Sequence, residues 1–222
     1  MKQVADDVWQ LRSFPPNAFN VYLAQGVVID ASHRRAGGGI LKQLEGHEVT
    51  AHALTHAHPD HNGVSKQICE RFGVPLWVGA ADAEAAERPE LIKERQPDAV
   101  INRIIWSQLT GPGHPVDKRL EEGDELGDFT VLHVPGHSAG HVAFWRESDR
   151  TLILGDVLNG MNLVTGIPGL REPPRVFTPD PARNRESARR LAALEPRLAL
   201  FGHGPPCGDT AKLVKFVEGL PA

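Results

Sequence analysis

The stretch that most constrains this chain is Thr55-His56-Ala57-His58-Pro59-Asp60-His61-Asn62-Gly63. It sets three histidines and one aspartate within six positions, after an apolar run and before a helix-like one. His56 and His58 are two apart, so on an extended or tightly turned segment they point the same way. Asp60 and His61 come a turn later and aim at a second point. Imidazole and carboxylate together suit zinc, iron or manganese. A solvated polar loop is the bland alternative. It is disfavoured because later histidines fall where further ligands would be needed.

The surrounding pattern supplies a scaffold. Residues 4–11 and 18–24 read as strands separated by the turn signal Pro15-Pro16-Asn17. Residues 27–30 form a short buried strand ending in Asp30, and 36–44 a helix weakened by Gly37-Gly38-Gly39. Residues 49–54 are the strand that delivers the histidine motif, at the end where sites collect in open α/β folds. Asn62 is placed as the N-cap of a helix over 63–71, with Val64, Ile68 and Phe72 on one face. Residues 75–78 make another short strand.

Residues 79–109 are the least regular part, with helices expected over 80–87 and 89–94 and an apolar run at 101–106. They are read as an insertion forming a lid or pocket wall. Strands at 131–134, 142–145 and 152–154 form a meander. Residues 159–174, rich in Gly and Pro, read as a loop. A helix over 180–194, a strand over 198–201 and a helix over 210–217 complete the chain. The alternation predicts two mixed sheets packed together with helices outside, in a single domain spanning 1–222.

Composition narrows the class. A length of 222 residues suits one substantial core, and 41% hydrophobic and 23% charged residues are ordinary globular values. A net charge of −4 marks neither a nucleic-acid binder nor a membrane-surface binder. Arg183, Arg185, Arg189 and Arg190 read as a solvated helix face. Two cysteines, Cys69 and Cys207, make no disulfide framework, which fits a reducing compartment. No secretory leader or apolar run of about 18 residues is seen, so a soluble cytoplasmic protein is expected. The 101–106 run is either core or a contact patch, leaving a homodimer possible.

Three further ligand candidates follow strands and sit beside glycine: His137 in Gly136-His137-Ser138-Ala139-Gly140-His141, Asp156 in Gly155-Asp156, and His203 in Gly202-His203-Gly204. Glycine lets the backbone turn so that each side chain projects from the strand end. Asp30 is a candidate acceptor for a ligand imidazole. Ser138 is expected to bond its own turn, and His133 and His141 to support the site. His33, His47, His52 and His114 are expected to face solvent or pack locally, and Cys207 to be a small buried residue.

With these residues in this order, the chain resembles the metallo-β-lactamase superfamily over nearly its whole length. The resemblance implies an αββα sandwich with a site at one edge of the two sheets. It implies that His56, His58 and His137 bind one metal, that Asp60, His61 and His203 bind a second, and that Asp156 bridges them. Two zinc ions are the expected cofactors, with iron or manganese as alternatives.

Within that family, several members fit poorly. His58 stands where diiron reductases typically carry Glu, and Asp156 where the main dizinc β-lactamases carry Cys. The only tyrosine, Tyr22, lies in an early strand, which disfavours the acyl-homoserine lactonases. The motifs are similar to those of glyoxalase II. However, with so little chain after His203 a helical glutathione domain is not expected, and Asp156 is followed by Val157-Leu158-Asn159-Gly160-Met161. The expected activity is therefore a dinuclear hydrolase in which a metal-bridging hydroxide cleaves a small ester, thioester or lactone. Asp60 would carry the proton toward the leaving group. The alternative is a mononuclear iron persulfide dioxygenase built on His56, His137 and Asp156. A metal-stabilised binding protein is a third class.

Overall fold

The structure, a computed structural model, describes residues 1–221. The first sheet is built from β1 (Lys2–Ala5), β2 (Val8–Gln10), β3 (Tyr22–Ala24), β4 (Val27–Ile29), β5 (Ala51–Leu54), β6 (Leu76–Gly79) and β7 (Lys118–Leu120), in chain order. Its first four strands pair antiparallel, and from β4 onward the pairing is parallel. Parallel neighbours need crossovers. These are α1 (Gly37–Leu44) between β4 and β5, and α2 (Pro59–Asn62) with α3 (Ser65–Phe72) between β5 and β6. The long connection from β6 to β7 contains α4 (Ala83–Glu87) and α5 (Val100–Leu109).

The second sheet runs in the order β14 (Leu198–Phe201), β11 (Thr151–Gly155), β10 (Val142–Arg146), β9 (Phe129–His133), β8 (Glu125–Leu126). Only β11 and β14 are parallel, and α6 (Pro181–Ala192) makes that crossover. The last helix is α7 (Thr210–Glu218).

Alternating apolar residues bring the sheets face to face. Tyr22, Ile29 and Ala53 of one sheet and Val131, Phe144 and Leu200 of the other share one buried cluster. The opposite faces are covered by helices. Val28 and Leu23 meet Ile40, Leu44 and Ile68 of α1 and α3, while Leu152 and Ala143 meet Leu191, Leu213 and Val217 of α6 and α7. This is the αββα sandwich. Truncating fully buried Phe144 to alanine would cost about 3–5 kcal/mol, a large share of a domain's stability.

Several local expectations are corrected. Residues 4–11 are not one strand: Asp7, at φ 47°, turns the chain so that β1 and β2 form a hairpin. Asn62 is not an N-cap. It ends α2, whose first residue is Pro59, and its amide donates to Ala86 O while α3 starts after Val64. Residues 159–174 are not all loop, because β12 (Asn159–Met161) and β13 (Pro168–Arg171) pair antiparallel. The 101–106 run belongs to a helix, α5, whose Trp106 is buried beside Leu54 and Leu76 while Ile104 is exposed. The α6 arginines are not simply solvated: Arg185 is buried against Glu172 at 2.6 Å, and Arg190 pairs with Glu122 at 2.6 Å. Cys207 is half-buried rather than buried.

Candidate metal centre

All seven candidate ligands lie on the connections that follow strands at one rim of the sandwich, Asp60 and His61 within the short helix α2. Beyond β5 the chain bends at Thr55 and is extended at His58 (φ −63°, ψ 152°), and Pro59 then opens α2. Proline lacks an N–H and has a helical φ, so it suits this first helical position. The motif thus divides physically: His56 and His58 lie on the extended part, Asp60 and His61 on the helical turn. His137 lies in the turn from β9 to β10. Asp156 and His203 follow the parallel neighbours β11 and β14, so they emerge side by side, with Gly202 N donating to Gly155 O at 2.9 Å. Val142 N donates to Thr55 O at 2.8 Å and ties the two sheets together beside the cluster.

Gly202 is required by close approach. A Cβ there would penetrate Asp156 Oδ1 and come within 2.6 Å of His61 Cε1. Gly155, at φ 52°, takes the left-handed turn that redirects Asp156.

The structure brings the candidates together in three groups, each with ligand atoms within 4.8 Å of one another: His56, His58 and His137; His56, His61 and Asp156; Asp60, His61 and His203. His56 Nε2 is 3.0 Å from His58 Nδ1. Asp156 stands between the halves, with Oδ2 3.6 Å from His137 Nε2 and 3.0 Å from His203 Nε2, and Oδ1 3.6 Å from His61 Nε2. Asp60 Oδ2 is 3.3 Å from His203 Nε2. Six of the seven are buried. Asp60 is the exception, with its side chain 20% exposed.

Each imidazole turns its other nitrogen to a protein partner. His56 Nδ1 is 3.0 Å from Thr55 Oγ1, His61 Nδ1 2.8 Å from Asp30 Oδ2, and His137 Nδ1 3.1 Å from Thr178 Oγ1. His203 Nδ1 meets Ala18 O, and His58 Nε2 is 2.6 Å from the Gln96 amide. Such contacts fix which nitrogen faces a metal.

The electrostatics differ across the cluster. Burial pushes the His56 and His137 imidazoles well below the usual histidine range, and neighbouring imidazoles add to it. Burial also lowers His61 and His203, but the carboxylates outweigh it. Asp30, Asp156 and Asp60 raise His61, and Asp156 and Asp60 bring His203 up to about 10. Asp60 and Asp156 are held below the ordinary carboxylate range: burial raises them, but His61 and His203 prevail. One side therefore offers neutral nitrogen donors and the other concentrates negative charge, which suits a pair of dications. Among the described residues, His61 Nε2, His137 Nε2 and Asp156 Oδ1 are buried with no hydrogen-bond partner. All three aim into the cluster, and cations held there would satisfy them.

Residues outside the motifs complete the site. Asp82 accepts from Ala57 N at 3.1 Å, Ser138 Oγ at 2.6 Å and Gly140 N at 2.8 Å, so one buried carboxylate joins the loops carrying His56 and His137. Ser138 therefore bonds Asp82 rather than its own turn. Asp82 carried no strand-end mark in the sequence, because β6 ends at Gly79 and the carboxylate comes three residues later, at the end of a short 3-10 turn. Gln96 and Thr178 were equally unmarked. His141 is buried, and its Nε2 accepts from Asp156 N at 3.3 Å. His52 is fully buried between Val28 O and Ser65 Oγ, each 2.8 Å away. A cavity of about 1000 Å³ abuts His58, and its wall includes Ala81, Ala85, Ile92 and Gln96.

Comparison with known proteins agrees with the fold. The family model described as "Metallo-beta-lactamase superfamily" matches residues 17–203. The "Probable metallo-hydrolase YflN" of Bacillus subtilis (strain 168) is 29% identical over 199 residues, covering 81% of this chain and 75% of that protein. A "Hydroxyacylglutathione hydrolase" of Bdellovibrio bacteriovorus is 26% identical over 158 residues, covering 69% of this chain but only 48% of its own length. The crystal structure of a metallo-beta-lactamase family protein from Thermus thermophilus superposes with a TM-score of 0.71 at 25% identity, covering 97% of this chain and 80% of that one.

Proposed function

The chain belongs to the metallo-beta-lactamase superfamily, and on that premise we propose that it is a dinuclear, zinc-dependent hydrolase of a small ester, thioester or lactone. His56, His58 and His137 would hold one cation, Asp60, His61 and His203 the other, and Asp156 both. The observation that carries this reading is the position of Asp156, within 3.6 Å of His137 on one side and of His61 and His203 on the other. Such a pair of cations supplies Lewis acidity, lowering the pKa of water toward neutrality and polarising the bond under attack.

The chain's own residues do the rest. Asp30, Thr55 and Thr178 orient His61, His56 and His137. Asp60, the least buried of the seven, takes the proton of the attacking water on its second oxygen and passes it to the leaving group. The 79–109 segment forms a wall of the substrate pocket, with Ala81, Ala85 and Ile92 offering an apolar surface to the non-reacting part of the substrate. The partial likeness to a hydroxyacylglutathione hydrolase favours thioesters as the first substrates to try. Two free cysteines fit a reducing cytoplasm. Among the described residues, no helix is long and apolar enough to cross a membrane.

The test is elemental analysis of protein purified without added metal, with ester and thioester turnover measured on the same sample. Two zinc ions per chain and turnover are expected, both reduced in His58→Ala. One iron per chain, with oxygen uptake and no hydrolysis, would overturn the reading.

A further inference from the structure

We propose that Gln96 is a positioning residue that fixes the His58 imidazole with Nδ1 toward the cluster and a proton on Nε2. The inference rests on His56, His58 and His137 acting as a metal set. His58 Nδ1 faces His56 Nε2 at 3.0 Å, and Nε2, on the far side of the ring, is 2.6 Å from the Gln96 side-chain amide. Both residues are buried.

An imidazole that gives Nδ1 to a cation must keep its proton on Nε2 and donate it. The acceptor has to be Gln96 Oε1. The amide nitrogen faces His58, and Oε1 is a buried acceptor with no hydrogen-bond partner among the described residues. Oxygen and nitrogen of an amide have nearly the same shape, so their assignment follows from the hydrogen-bond network. Turning the amide over gives Oε1 a donor and gives the His58 proton an acceptor.

The source of this partner sets it apart. Thr55, Asp30, Ala18 and Thr178, the partners of His56, His61, His203 and His137, do not line the cavity, whereas Gln96 does. Gln96 comes from the β6–β7 connection, 38 positions after His58. Its neighbours hold it in place: Arg95 Nη1 donates to Ala81 O at 2.9 Å, and Asn102 Nδ2 to Pro97 O at 2.8 Å. The segment that walls the cavity thus also sets the orientation of one metal ligand.

The test compares wild type with Gln96→Met, which keeps the bulk and removes the acceptor, and with Gln96→Glu, which restores one. Zinc affinity is measured by chelator competition, and the His58 tautomer by long-range proton–nitrogen NMR of the metal-free proteins. Thermal unfolding confirms that each variant folds. Gln96→Met should weaken zinc binding at the His56, His58 and His137 set about 10–100-fold and mix the His58 tautomers. Gln96→Glu should return both readouts to near wild type. Equal zinc affinity in wild type and Gln96→Met, equal losses in both variants, or a wild-type His58 protonated on Nδ1 would overturn the proposal alone. Wild type that binds no zinc would bring down the metal reading, and this inference with it.

Discussion

Asp30 lies at the end of β4 with Oδ2 2.8 Å from His61 Nδ1, while its Oδ1 accepts Thr55 N at 2.8 Å. One buried carboxylate therefore orients a ligand on α2 and holds the strand end from which His56 departs. Asp30→Asn removes the charge that fixes His61 and should lower cation affinity about 10–100-fold. Chelator competition on folded protein measures it. Unchanged affinity would reduce Asp30 to a strand-end anchor.

Asp82 satisfies three donors at once. Asp82→Ala leaves Ala57 N–H and Gly140 N–H buried without an acceptor and should cost on the order of 3 kcal/mol, against about 1 kcal/mol for Ser138→Ala. Urea unfolding of both variants gives the comparison. Equal costs would mean that the Ser138 bond carries the whole effect.

Gly202→Ala drives a methyl group into Asp156. The expected result is a folded protein that loses a cation and about 100-fold or more of its turnover, because ligand displacement of an ångström misplaces the reacting groups. Metal content and circular dichroism, measured together, separate this from simple unfolding.

His52 makes stability depend on pH. Burial lowers its folded pKa to about 4, from an ordinary 6.5. As pH falls the unfolded chain takes up this proton first, so stability present above about 6.5 is lost progressively toward 4. The full span corresponds to on the order of 3 kcal/mol. His52→Gln can bond Val28 O and Ser65 without titrating. In zinc-saturated protein, the stability difference between wild type and His52→Gln should therefore change in the variant's favour from pH 7.5 to pH 5. Parallel pH profiles would exclude His52 as the sensitive group.

The clustering of the seven candidates was legible because each carries a local mark, an imidazole or carboxylate after a strand beside glycine or within the Thr55–Gly63 run. The two-sheet architecture was legible for a similar reason, since short apolar strands alternate with helical periods. What was hidden depends on distant partners. Gln96 looks like any surface glutamine until α4 and α5 fold over His58. Thr178 becomes the partner of His137 only once α6 packs. The β12–β13 hairpin was masked by its own glycines and prolines, which sit in a pair whose register shifts between Asn159 and Met161.

The His203 turn depends on the opposite end of the chain. Tyr22 Oη and Asn20 Nδ2 each donate to Phe201 O at 2.8 Å, Asn20 Nδ2 also reaches Gly204 O at 2.8 Å, and Ala18 O meets the His203 ring. During synthesis Ala18, Asn20 and Tyr22 lack these partners until β14 and the turn after it have left the ribosome. On the proposed reading, a nascent chain stalled before Leu198 would lack His203 and so could assemble only the His56, His58 and His137 set in full.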